Sequence, residues 1–190
     1  MGTKKTNVVI GMTCGTDDMH AKTAFSLVHA VNNKRDFDIN FIMEMSCDII
    51  GARCRLVHKA RELKATHLLF VDYDMFFAPD TIQKLLDNDK DIVGAAYNFR
   101  SLPKKSTAFP LDEENAQGLY KCHAIGTGLM LIKMEVFDKV SEPWFQFGRD
   151  ASGNMVRGED VHFCLEAQKV GYDVWADDTL TVNHLGEYAY

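Results

Sequence analysis

Long hydrophobic runs are missing from this sequence. No apolar stretch in its 190 residues approaches the roughly 20 needed to cross a bilayer. The opening MGTKKTNVVIGM lacks a signal-peptide core of adequate length. The expectation is therefore a cytoplasmic chain with no membrane span. Met1-Gly2 followed by Thr6 fits the loose myristoylation pattern, read here as chance on so permissive a signal. A surplus of positive charge is also missing: Lys and Arg total 21 against 27 Asp and Glu, for a net charge of −6. With the cations scattered along the chain, nucleic acid is excluded as the main partner. Cysteines are few: Cys14, Cys47, Cys54, Cys122 and Cys164 are odd in number and form no CxxC pair. That excludes a disulfide framework and a clustered zinc site, and leaves buried thiols in a reducing compartment as the expectation. Internal repeats and low-complexity tracts are absent too. With 46% hydrophobic and 25% charged residues, the composition is that of one globular domain able to bury a core.

What is present is an alternation of strand-like and helix-like segments. Asn7 to Met12 reads as a buried strand, left through a loop at Thr13 to Thr16. Asp17 or Asp18 is placed to cap a helix over residues 21–33, with an apolar stripe of Phe25, Val28 and Leu27 or Val31. Asp36 to Met45 reads as a second strand. Asp48 caps a helix through Ile49, Ala52, Leu56, Ala60 and Leu63, whose outer face is basic through Arg53, Arg55, Lys59 and Arg61. His67 to Val71 is a short, wholly apolar run, as in a central strand covered on both faces. Pro79-Asp80 opens a helix through Ile82, Leu85 and Leu86. Asp91 to Tyr97 is a strand, residues 99–121 a loop or hairpin excursion, and Leu129 to Ile132 a strand before a short helix near 135–140. A polar stretch from 146 to 157 precedes a helix over 159–169 that Gly171 terminates. Strands at 172–176 and 179–182 complete an α/β, layered single domain.

Three places carry chemistry. Asp72-Tyr73-Asp74 follows the strand HLLFV, and in extended backbone residues i and i+2 share a face, so both carboxylates can converge. Two anions at the end of an apolar strand repel each other and lose hydration. A divalent cation relieves both costs, and oxygen ligands suit Mg²⁺ or Mn²⁺. The plainer reading is a turn with solvated aspartates. Gly158-Glu159-Asp160 opens the last long helix; acidic residues there stabilise the helix dipole, or one of them, preferably Asp160, serves as general base. His184 follows a strand and precedes a glycine, where its imidazole can fold back as a third metal ligand or rest as an ordinary satisfied histidine.

These blocks, HLLFVDYDMFFAPDTIQKLL, GTGLMLIKMEVF, GEDVHFCLEAQKVGYDVWAD and NHLG, resemble the successive blocks of nucleotide-sugar-dependent glycosyltransferases of the GT-A fold, especially family-2-like enzymes. The resemblance spans residues 66–100 and 124–186; the first 60 residues match only loosely. It implies a three-layer, Rossmann-like sandwich on a mostly parallel central sheet. The nucleotide-sugar half would occupy residues 1–100, and the acceptor and catalytic half residues 101–190.

The resemblance further implies roles for particular residues. Asp74 would ligate the divalent metal directly, with Asp72 on the ribose, the metal or both, and His184 would complete the metal site. Asp160 would be the catalytic base of an inverting reaction, with Glu159 as its backup. Thr13 and Arg53 match positions that touch the base, ribose or phosphates. Gly126 and Gly128 would let backbone approach donor or acceptor closely, or simply lead into a strand. Trp144 and Phe145 fall on an acceptor-side loop, where an aromatic face stacks on a sugar or else packs in the core. The implied donor is a UDP- or GDP-sugar with Mn²⁺ or Mg²⁺, and the implied acceptor a carbohydrate or other hydroxyl-bearing molecule.

Competing readings are a sugar-phosphate nucleotidyltransferase, a metal-dependent phosphoesterase and a non-catalytic nucleotide-sugar-binding module. The first wants a glycine-rich, cationic loop after the first strand, where MTCGTDD is acidic. The second leaves the G-E-D and N-H-L-G blocks without a task, and the third must ignore that every expected catalytic position is filled. The donor sugar, the acceptor and the oligomeric state are not encoded in any of these motifs.

Overall fold

The computed structural model describes residues 5–15, 18–101 and 103–186; the Met1-Gly2 pattern and Asp17 lie outside them. Among the described residues, twelve strands and five helices follow one another as β1 Asn7–Cys14, α1 Ala21–Asn32, β2 Asp38–Met45, α2 Ile49–Glu62, β3 His67–Asp72, β4 Met75–Phe77, α3 Thr81–Asp87 and β5 Ile92–Ala95. The remainder are β6 Phe109–Pro110, β7 Leu119–Ala124, β8 Leu129–Lys133, α4 Val136–Lys139, β9 Gly148–Arg149, β10 Met155–Arg157, α5 Glu159–Lys169, β11 Val174–Asp177 and β12 Val182–His184.

One eight-stranded sheet runs in the order β2-β1-β3-β8-β5-β11-β7-β6. The pairings β1–β2, β1–β3 and β5–β11 are parallel, while β8 and β7 run against their neighbours. Six of the eight strands therefore point one way, and the sheet is mostly parallel in direction. β8, from the second half of the chain, sits between β3 and β5 of the first, so both halves share a single sheet.

Strand periodicity divides the core into two layers. On β3, Leu68 and Phe70 join α2, α4 and α5 on one face, while Leu69 and Val71 join α1 and α3 on the other. The short apolar run HLLFV is thus covered on both sides, as its composition requires.

Two helices depart from expectation. α1 is capped by His20, whose Nδ1 accepts from the Lys22 amide at 3.3 Å, rather than by Asp18. Its buried face is Thr23, Ser26, Leu27 and Ala30; Phe25, Val28 and Val31 face outward. The reason is close packing: the Ser26 hydroxyl accepts from the Phe77 amide of β4 at 3.0 Å, which only a small side chain permits. On α2, Asp48 caps as expected, accepting from the Gly51 amide. Arg55 and Lys59 face outward onto Glu44, and Arg61 onto Asp138, but Arg53 is turned inward and is 4% exposed. Among the cysteines, Cys14, Cys122 and Cys164 are buried, Cys54 is half-buried, and Cys47 is exposed, against the expectation of burial throughout.

Candidate active site

The carboxyl end of β3 builds the site. Thr13 of β1 pairs in register with Asp72, the last residue of β3, and the Asp72 amide donates to the Gly128 carbonyl at 3.0 Å. The chain then turns at Tyr73-Asp74 and re-enters extended backbone as β4. That turn is fixed from both sides: the His20 amide donates to the Tyr73 carbonyl at 3.1 Å and the Leu185 amide to the Asp74 carbonyl at 2.8 Å. β12 pairs antiparallel with β4 so that His184 lies opposite Met75, which brings the imidazole over Asp74.

The strand ends between the two aspartates, and they take different partners. Asp72 faces the buried Arg53 guanidinium at 3.7 Å. Asp74, 4% exposed, meets His184 Nε2 at 3.3 Å and Arg100 Nη1 at 3.0 Å, both through Oδ2. Among the described residues, no group of three His, Cys, Asp or Glu side chains is gathered to hold a metal ion, so the expected triad of Asp72, Asp74 and His184 reduces to a pair. That pair still fits a divalent ion. Asp74 Oδ1 and His184 Nδ1 are buried without hydrogen-bond partners, and a buried carboxylate oxygen left unpaired is costly. Mg²⁺-type sites commonly use one or two protein ligands and complete the shell with water and phosphate.

Burial pushes the Asp72 carboxyl up; Arg53 opposes that rise and Asp74 adds to it. Arg53 spans two elements, ion-paired with Glu159 of α5 and facing Asp72 of β3, with its guanidinium 5.9 Å from the centre of the Phe145 ring. Glu159 is thus committed to Arg53 and is not a free base. Asp160 feels Arg53 only at longer range, as a weaker opposing charge. Its Oδ1 accepts from the Val161 amide at 2.7 Å, which leaves Oδ2 for chemistry. Burial first, and the neighbouring Glu159 charge second, raise the Asp160 carboxyl above the ordinary aspartate range.

Gly126 and Gly128 have a closer neighbour than any ligand. A Cβ on Gly128 would lie 2.3 Å from the Tyr97 hydroxyl, and one on Gly126 2.6 Å from it. The Gly128 amide donates to that hydroxyl at 2.9 Å, and the Tyr97 ring meets His184 edge-on at 5.5 Å. Both glycines make room for Tyr97, which in turn supports the histidine. Trp144 and Phe145 are 2% and 0% exposed. Trp144 Nε1 donates to the Phe137 and Val140 carbonyls, and Phe145 packs against Phe70 and Phe163. Core packing leaves neither ring a face for a sugar, which corrects the acceptor-side expectation.

Thr13, Arg53, Asp72, Asp74, Arg100 and His184 share one cleft of about 260 Å³. Larger hollows of about 550 and 310 Å³ open around His67 and Lys133, at the opposite end of β3, away from these groups. Tyr97 and Arg100 are the two site residues that sequence reasoning missed. Their signal was positional: both follow β5, whose carboxyl end opens on the same side of the sheet as that of β3.

No known family matches the sequence, and no curated protein does. Solved structures do resemble it. A197 from STIV aligns over 95% of this chain and 86% of its own, at 18% identity and a TM-score of 0.66. The inositol-1-phosphate CTP transferase from T. maritima aligns over 95% and 89%, at 10% identity and 0.55. S. aureus TarS aligns over 95% of this chain but 37% of its own, at 14% identity and 0.52. At such identities the likeness speaks of architecture alone: this chain has a GT-A-like, Rossmann-type α/β fold.

Proposed function

We propose that this protein is a metal-dependent glycosyltransferase that moves a sugar from a nucleoside-diphosphate sugar, UDP- or GDP-linked, to an acceptor hydroxyl with inversion. The observation that carries the reading is the pairing of buried Asp74 with partly buried His184 at the carboxyl end of a central strand, each with a buried polar atom that has no hydrogen-bond partner. Ligands of open α/β sheets bind at that end. Asp74 and His184 would hold Mn²⁺ or Mg²⁺, which when bound supplies Lewis-acid stabilisation of the charge growing on the departing diphosphate.

The chain's own groups divide the remaining work. Thr13 and Asp72 face the nucleotide from adjacent strands, and Arg53 fixes the Asp72 carboxylate while neutralising it. Through Glu159, the same arginine ties the start of α5 to the donor side, so donor and base keep one geometry. Asp160 Oδ2 takes the proton of the acceptor hydroxyl, and its raised pKa makes it a stronger base once ionised. A diphosphate leaving group requires no protonation, so one carboxylate suffices where a glycosidase needs two. Residues 1–100 thus supply most of the donor side, with His184 from the second half completing it, and residues 101–190 supply the base.

The likeness to a CTP transferase favours nucleotidyl transfer as a second reading. Products separate the two: sugar transfer releases nucleoside diphosphate, and nucleotidyl transfer releases pyrophosphate. The first test is a thermal-shift screen against UDP-, GDP-, CMP- and dTDP-sugars, each with Mn²⁺, Mg²⁺ or EDTA. A ligand that binds only the native state stabilises by about 2.7 kcal/mol at a hundredfold excess over Kd. A shift with one nucleotide class that EDTA abolishes is expected. A folded protein that responds to none of them would end the proposal.

A further inference from the structure

Arg100 sits in the segment between β5 and β6, where Asn98 and Ser106 form an antiparallel bridge and the Phe99 amide donates to the Lys105 carbonyl at 2.9 Å. From there its guanidinium reaches Asp74 Oδ2 at 3.0 Å, the same oxygen that faces His184. Its side chain is 49% exposed, whereas Asp74 is almost wholly buried. One end of this ion pair is fixed, and the other is free to leave. Gly186 lies under the arginine's stem: a Cβ there would stand 3.2 Å from Arg100 Cδ.

Resting on the metal-and-diphosphate reading above, we propose that Arg100 is an exchangeable counterion, paired with Asp74 when the cleft is empty and transferred to the donor's diphosphate when the cleft fills. The electrostatics require an exchange. A divalent cation on Asp74 repels a guanidinium 3 Å away, and the arginine then loses the anion that held it. A diphosphate arriving at the same place offers oxygen acceptors that a planar guanidinium engages in bidentate fashion. The arginine therefore opposes metal binding alone and favours metal and diphosphate together. In this way one side chain makes the two ligands depend on each other.

The test has two binding arms, neither of which reads activity. Mn²⁺ alone is titrated against the protein by the paramagnetic resonance of the free ion. Pyrophosphate, which carries no base or sugar, is titrated in excess Mg²⁺ by calorimetry. Arg100→Gln is expected to tighten Mn²⁺ severalfold and to weaken pyrophosphate by about tenfold or more, the scale of a lost charge-assisted hydrogen bond. Lys104→Gln removes an equal charge from the same exposed segment and is expected to change neither. Circular dichroism and melting temperature check that both variants fold.

If Arg100→Gln moves both affinities in one direction, or leaves either unchanged, the exchange is wrong while the metal site stands. If Lys104→Gln reproduces the arginine variant, a general positive field replaces the specific handover. If the wild-type protein binds neither Mn²⁺ nor pyrophosphate, the metal-and-diphosphate reading fails, and the exchange fails with it.

Discussion

Asp160 carries an electrostatic burden that its neighbours do not share. Burial and the adjacent Glu159 raise its carboxyl, and the pairing of Glu159 with Arg53 leaves that cation largely spent. An aspartate whose folded pKa lies above its unfolded value binds its proton longer in the native state. Its contribution to stability is then present below the unfolded pKa and is lost as pH rises through the folded one. Asp160→Asn should therefore melt higher than wild type at neutral pH, with the gap closing as pH falls through the raised folded value to the unfolded one at about 3.9, and a pH series of melting curves checks this. The same variant should keep nucleotide binding and lose at least about 10²-fold in turnover, the lower scale for a general base. Glu159→Gln should behave differently. It leaves the buried Arg53 short of an anion, so stability falls across the neutral range, a loss readable by denaturant titration. At this scale the sequence was informative about residue type and less so about partners. Asp74 and His184, both singled out in the sequence, lie 3.3 Å apart. Asp72 turns to Arg53 because the strand ends at residue 72, a boundary that the apolar run HLLFV does not encode.

Elements were legible wherever one force dominated. The strand run 67–71, the Asp48 cap of α2, the helix start at residue 159 and the stop at Gly171, with φ of +94°, all follow local rules. α1 did not, because its packing selects small residues against β4 over larger ones, and no periodicity in the helix announces that preference. The loop Gly126-Thr127-Gly128 shows the same limit: its glycines answer to Tyr97, thirty residues away in sequence. Gly128→Ala should force that hydroxyl aside and destabilise by about 1–3 kcal/mol, the scale of overpacking, with a matching loss of Mn²⁺ affinity through His184. Phe145→Ala should cost about 3–5 kcal/mol of stability as a large-to-small core change. Its acceptor KM, measured below the variant's melting temperature, should stay near that of wild type, since the ring has no exposed face. A selective rise in KM on a stable fold would return the ring to the acceptor side.

Across the molecule, the site draws on both ends of the chain, from Thr13 to His184, and most of it hangs from the eight-stranded sheet. His184 does not. It arrives on β12, whose pairing is with the three-residue β4 in a separate two-stranded ribbon. During synthesis, every strand of the main sheet emerges before this ribbon can close, so the sheet is complete in the chain before His184 can reach Asp74. A chain cut after Leu180 would retain each of those eight strands and lack the imidazole. In the finished protein, the ribbon is also where local opening should come most cheaply. Amide exchange should be faster along Val182–His184 than along His67–Asp72, and bound metal should slow the former first. On the proposed reading, competence to bind metal should then be the last thing the chain gains on folding and the first it gives up on heating.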